Sequence, residues 1–159
     1  MLEKIKEAIK EVKDPEIPVL SIVDLGIITQ LEVDEEGNVF VRMTPTFAGC
    51  PAMEMMRQEV EEKLTGLEGV ASVKVKVDFK EHWTSNRISE EGRETIRKFG
   101  LAPPVHVEGE FDLNRLKDAA CPYCGGSDTT MNSPFGPTLC RSIHYCYDCK
   151  ETFEQFKPV

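Results

Sequence analysis

Two Cys-x-x-Cys knuckles, Cys121-Pro122-Tyr123-Cys124-Gly125-Gly126 and Cys146-Tyr147-Asp148-Cys149, leave the C-terminal part of this chain little conformational freedom. Two thiolates separated by two residues grip one face of a tetrahedral ion, and two such knuckles complete a Cys₄ site. Zn²⁺ favours closed sulfur sites of this kind, and a mononuclear iron would satisfy the same ligands. Residues 119–159 carry few aliphatic side chains, so the ion is expected to supply much of the stability of a zinc ribbon there. The Gly125-Gly126 pair lets the backbone turn tightly under the metal, and Thr152-Phe153-Glu154-Gln155-Phe156 reads as the ribbon's last strand. Cys140 and His144 fall between the knuckles. Two complete knuckles leave no vacancy, so both are read as non-ligands, and a closed site offers no open position for hydrolytic chemistry.

Of the six cysteines, only Cys50 precedes the knuckles. That asymmetry divides the chain into an α/β (α+β) domain at residues 1–80, a helical extension and linker at 81–118, and the ribbon at 119–159. The start, Met1-Leu2-Glu3-Lys4-Ile5-Lys6-Glu7, has no apolar leader, and no run approaches a membrane span. A cytoplasmic location is expected, and in a reducing compartment paired cysteines mean metal before disulfides. The formal charge is −9, and each of the three segments is acidic. Nucleic-acid affinity rests on Lys and Arg at phosphates, so neither nucleic acid nor an anionic membrane is an expected partner.

Leu2, Ile5, Ile9 and Val12 recur at helical spacing and predict an amphipathic helix over residues 2–12, which Asp14-Pro15 ends. A loop with a short helical turn follows through Gly26. Ile28–Val33 and Val39–Met43 alternate as strands around the turn residues Asp34-Glu35-Glu36-Gly37-Asn38, which predicts a β-hairpin. Met53, Met56, Val60 and Leu64 mark the buried face of a second helix that Gly66 and Gly69 end, and Val73, Val75, Val77 and Phe79 alternate as a third strand. In the extension, Ser89 caps a helix that Gly100 closes. Ala102-Pro103-Pro104 reads as a linker or rigid exit, and Val105–Phe111 as a further strand. His82 and His106 have no partners at ligand spacing.

The hairpin and the second helix are joined by Thr44-Pro45-Thr46-Phe47-Ala48-Gly49-Cys50-Pro51. Proline at a first helical position sacrifices no backbone hydrogen bond, so Pro51 reads as that position and Cys50 as the cap. A thiol there faces unpaired N–H groups and the positive end of the helix dipole, which favour the thiolate, the form that attacks electrophiles or binds metal. Cys50 is also consistent with a small buried residue.

Asp14-Pro15-Glu16-Ile17-Pro18, Val23-Asp24-Leu25-Gly26 and Thr46-x-x-x-Cys50-Pro51 resemble the signature of the MIP18 (DUF59) family of iron–sulfur assembly factors. Trp83-Thr84, Ile88-Ser89-Glu90-Glu91-Gly92-Arg93, Ala102-Pro103-Pro104 and the Cys₄ tail with Phe135-Gly136-Pro137-Thr138-x-Cys140 are similar to one branch of it, the accessory proteins of phenylacetate catabolism associated with phenylacetyl-CoA epoxidase. The resemblance implies a MIP18-like domain with a C-terminal zinc ribbon. It further implies a role in assembling or maintaining the metal centres of a ring oxygenase, whose Fe–S or di-iron components would be the clients. By the same resemblance Cys50 is the reactive or cluster-binding residue, with Thr46, Asp14, Glu16 and Asp24 around it; these carboxylates are equally readable as caps and turn residues. A transient Fe–S cluster needs more ligands than one cysteine, and a symmetric homodimer would bring two Cys50 thiolates together. Two other readings stay open: a docking subunit that uses the ribbon as its interaction surface, and an enzyme with Cys50 as nucleophile. The latter is disfavoured because no histidine precedes His82 to serve as base.

Overall fold

Val39, Val41 and Met43 are buried while Phe40 and Arg42, between them, are half-buried. This alternation makes Asn38–Met43 (β2) the centre of a sheet with one face on a core. In the computed structural model, which describes residues 1–47, 50–109 and 113–159, the chain divides into two units, Met1–Trp83 and Thr84–Val159.

The first unit begins with α1 (Leu2–Lys10) and continues through a loop to the single helical turn α2 (Ile22–Leu25). Ser21 caps α2, its hydroxyl accepting from the Val23 N–H at 3.1 Å. The hairpin pairs β1 (Ile28–Val33) antiparallel with β2, with a bulge between Ile28 and Gln30. Helix α3 (Ala52–Thr65) then crosses over so that β3 (Ser72–Val77) can lie parallel to β2, because parallel neighbours need a long connection. The sheet order is β1-β2-β3. Ile5 and Ile9 of α1, Leu20, Ile22 and Leu25, and Met53, Met56, Val60 and Leu64 of α3 are all buried. The helical spacing read from the sequence is therefore the core-facing stripe.

In the second unit, a 3₁₀ turn at Ser85–Arg87 precedes α4 (Glu90–Phe99). As expected, the Ser89 hydroxyl accepts from the Gly92 N–H at 2.9 Å, and Gly100 closes the helix at φ 100°. Leu101–Ala102 then forms a short strand, β4, rather than part of a linker. It pairs parallel with β7 (Thr152–Phe156), which pairs antiparallel with β6 (Arg141–Cys146), and β6 pairs with β5 (Thr129–Ser133). The order β4-β7-β6-β5 places the last strand in sequence inside the sheet. Residues 84–107 are fastened to this unit. The Ser85 N–H donates to the Val159 carbonyl at 2.6 Å, the Val159 N–H donates to the Ser85 hydroxyl at 3.0 Å, and Asn86 bonds both backbone groups of Val107 at 2.7 and 2.8 Å. The strand expected over Val105–Phe111 is not formed by Val105–Gly109, which is irregular; Glu110 and Phe111 lie outside the described residues. Among the described residues, no helix is long and apolar enough to cross a membrane.

Candidate functional site

Two places concentrate reactive side chains, one in each unit. In the first, Pro51 already has helical dihedrals, φ −67° and ψ −21°, so by conformation it opens the first turn and Cys50 stands at the cap. The backbone N–H groups of Ala52 and Met53 are directed at the Cys50 sulfur and favour its thiolate. They are outweighed. Burial pushes the thiol up, and the carboxylates of Glu16 and Asp14 push it the same way. The sequence-based expectation of a favoured thiolate is thus reversed: removing water from a half-buried sulfur disfavours the anion more than two helix-terminal N–H groups support it.

The same balance shows which expected residues meet. Asp14 and Glu16 both lie close enough to Cys50 to act on its charge. Asp14 also shapes the loop, its Oδ1 accepting from the Glu16 N–H at 2.7 Å and the Ile17 N–H at 3.3 Å. Its turn role and its place beside the thiol coexist. Asp24 is half-buried on α2 and Thr46 half-buried in the loop, and neither is among the groups seen to act on the sulfur. Ala48 and Gly49, which precede Cys50, lie outside the described residues.

Two residues outside the expected set hold the Cys50 loop. Trp83, only 7% exposed, donates its indole N–H to the Leu25 carbonyl at 2.8 Å and lies 6.4 Å, centroid to centroid, from Phe47. The Thr44 hydroxyl donates to the Glu81 carbonyl at 2.6 Å. Trp83 is the only tryptophan in the chain. Its rarity was the available signal; its partners, far away in sequence, gave none.

In the second unit, the sulfur atoms of Cys121, Cys124, Cys146 and Cys149 all lie within 4.8 Å of one another. A tetrahedral ion at about 2.3 Å from each sulfur requires sulfur–sulfur edges of about 3.8 Å. The observed Cys121–Cys149 and Cys124–Cys146 separations are 3.7 and 3.6 Å, so the four residues fit such an ion. Backbone donors complete the cage: the Gly126 N–H reaches the Cys124 sulfur at 3.3 Å, and the N–H groups of Cys149 and Asp148 are directed at Cys146. Both knuckles turn through the left-handed region immediately after their second cysteine. In the first, Gly125 does so at φ 74°; in the second, Lys150 does so at φ 62°, where a side chain is costly.

Cys140 and His144 stand apart from the four-sulfur cluster. His144 is fully buried, stacked on Phe153 at 5.3 Å, with its Nε2 2.8 Å from the Ser142 hydroxyl. Burial pulls it down to about 4, so it is a neutral core residue near pH 7. The Cys140 sulfur lies 3.0 Å from the Thr138 hydroxyl.

Segments in both units match known families. Residues 2–77 match the family described as iron-sulfur cluster assembly protein, and residues 108–157 match the PaaD zinc beta ribbon domain. The chain is 34% identical to a putative 1,2-phenylacetyl-CoA epoxidase subunit of Escherichia coli, over 95% of this chain and 89% of that one. It is 38% identical to an Fe-S protein maturation auxiliary factor of Porphyromonas gingivalis, over 56% of this chain and 84% of that one. A crystal structure of a DUF59 domain from Bacillus anthracis superimposes with a TM-score of 0.55 at 28% identity, covering 59% of this chain and 89% of that one. With the fold, the four-sulfur cage and these likenesses in hand, the chain belongs to the iron–sulfur cluster assembly (DUF59/MIP18) family, in the form that carries a PaaD zinc ribbon.

Proposed function

We propose that this protein is an accessory factor that assembles or maintains iron–sulfur or other metal centres in client proteins and takes hold of its cargo through Cys50. The carrying observation is that the carboxylates of Glu16 and Asp14 lie close enough to Cys50 to act on its charge at the start of α3. Two carboxylates acting on one thiol disfavour an electron-rich reactant there and favour a cation. The thiol stays protonated until a cation offsets the carboxylates, a resting state that suits a metal handler better than a nucleophilic enzyme. Asp24 and Thr46 support the loop around it.

One cysteine cannot complete the usual ligand set of a cluster. The remaining ligands therefore come from a client or from a second copy in a homodimer, and cargo held in a shared site is released when the partners separate. The likeness to an epoxidase subunit supports oxygenase or reductase components of a phenylacetyl-CoA epoxidase system as the clients. The knuckles bind a structural ion, Zn²⁺ by preference, that holds the ribbon together. Tyr123, Phe135, Leu139 and Tyr147, each more than half exposed, favour a second role for the ribbon as a client-docking surface.

Anaerobic reconstitution with ferrous iron and sulfide, followed by metal and sulfide analysis, tests the reading. Wild type should retain iron beyond the ribbon's single ion, and Cys50→Ser should not. In cells, Cys50→Ser should leave client components depleted of cofactor and abolish growth on the aromatic acid. Full client metallation and normal growth with that variant would overturn the proposal and leave only docking.

A further inference from the structure

Cargo handling at Cys50 uses neither Cys140 nor Lys157, yet the fold puts these two together. The Lys157 N–H donates to the Cys140 carbonyl at 2.8 Å, which sets the end of β7 beside the start of β6. Lys157 is only 8% exposed and Cys140 9%. A lysine buried this far is ordinarily paired with a carboxylate. Among the described residues Lys157 has no ion pair and no side-chain hydrogen bond. The nearby Glu154 is engaged by Arg141 at 3.0 Å. The Lys157 ammonium instead lies 4.8 Å from the centre of the Phe135 ring, and the one acidic group that acts on it is the Cys140 thiol. The Thr138 hydroxyl lies 3.0 Å from the same sulfur, so one thiol has a hydroxyl and a cation as neighbours. Phe135 and Leu139, which flank Thr138 in sequence, are 67% and 64% exposed, so this loop faces solvent.

We propose that Cys140 is a thiol–disulfide exchange site whose substrate class is a low-molecular-weight disulfide bearing carboxylates, received by the Lys157 ammonium. The Cys140 sulfur attacks one sulfur of the disulfide, forming a mixed disulfide as the original S–S bond breaks. The departing thiolate takes up the proton that Cys140 gave up, so the Cys140 sulfur is oxidised and the small thiol is released reduced. A neighbouring ammonium favours the attacking thiolate. Cys50 has the opposite surroundings, since Glu16 and Asp14 repel both its own thiolate and an anionic reagent. The charge around Cys140 therefore favours an anionic reagent, whereas the charge around Cys50 repels it. Nothing in this inference depends on the cargo role of Cys50.

The test uses the metal-loaded full chain, oxidised glutathione, and peptide mass mapping of Cys50 and Cys140 over time. The mixed disulfide should form about threefold or more faster at Cys140, since a gain in thiolate fraction is partly offset by the lower nucleophilicity of a less basic sulfur. Lys157→Gln should slow Cys140 by about the same factor and leave Cys50 unchanged, while Lys157→Arg keeps the wild-type rate. The preference for Cys140 should shrink with neutral iodoacetamide. Faster reaction at Cys50, an equal preference with both reagents, or an unchanged Cys140 rate in metal-loaded Lys157→Gln would each overturn the proposal. Should Lys157→Gln fail to hold its metal, the wild-type ratio of the two rates decides alone.

Discussion

The indole N–H of Trp83 donates to the carbonyl oxygen of Leu25 at 2.8 Å, tying the end of the first unit to the last residue of α2. That bond, with the Phe47 ring against the indole, anchors the loop leading to Cys50. Trp83→Phe keeps an aromatic ring but leaves the carbonyl of the buried Leu25 without this donor. Such a loss costs about 1–3 kcal/mol, and should appear as a lower urea midpoint followed by circular dichroism. Cys50 should also alkylate faster in the variant, because its loop has lost a fixed point. An unchanged midpoint and alkylation rate would show that other contacts hold the loop.

The carboxylates beside Cys50 give a prediction with a definite sign. Wild-type Cys50 should alkylate more slowly near neutral pH than the same cysteine in the unfolded chain, because burial, Glu16 and Asp14 all raise its pKa above the ordinary 9.0. Glu16→Gln removes one of the repelling charges without disturbing the Asp14 turn, so the pH–rate curve should move to lower pH. The stability sign follows from linkage. Just above 9.0 the unfolded thiol has lost its proton and the folded one retains it, so this group's contribution falls as pH rises through that window. A curve that stays in place, or moves up, would mean that Glu16 does not act on the thiol.

Removal of the structural ion should separate the two units. A strong chelator, or Cys146→Ser, takes away the contact that gathers both knuckles. The strands of the second unit should then lose their order, because metal binding supplies much of the folding free energy of so small a sheet. The single tryptophan belongs to the first unit, so its emission should report that this unit stays folded. Coincident loss of tryptophan emission and second-unit structure would show that the units fold as one.

Local chemistry made much of this legible in the sequence. Ser89 and Gly100 bracket α4 because a cap and a left-handed residue act within a turn of where they stand. The valines of β2 alternate because that strand has one face on the core, and those of β3 alternate as half-buried positions between exposed ones. The paired knuckles announced the cage. What escaped were relationships whose two ends lie far apart. Leu101–Ala102 is too short to show a period and becomes a strand only because Glu154 and Gln155 pair with it. Ser85 is fixed by Val159 at the opposite end of its unit. The direction of the Cys50 shift depended on burial and on charges more than thirty residues upstream, which the helix cap alone could not reveal. Lys150 at φ 62° was masked because the first knuckle solves the same turn with glycine.

The hairpin turn offers a final test of how the first unit closes. Gly37 sits at φ 85°, and its carbonyl accepts from the Ala71 N–H at 2.8 Å, pressing the β1–β2 turn onto the segment that enters β3. A β-carbon at this position would lie 2.3 Å from the Gly69 carbonyl oxygen, a backbone atom that cannot rotate away. Gly37→Ala therefore combines a left-handed strain of about 1–2 kcal/mol with an overpacking cost of about 1–3 kcal/mol. The loss should fall on the unit reported by Trp83 emission, with the metal content of the ribbon unchanged. Gly66→Ala is the matched control: its β-carbon meets nothing closer than 3.7 Å and its backbone is already helical, so it should fold like wild type. Equal stability of the two variants would show that the turn does not bear on the Gly69 backbone.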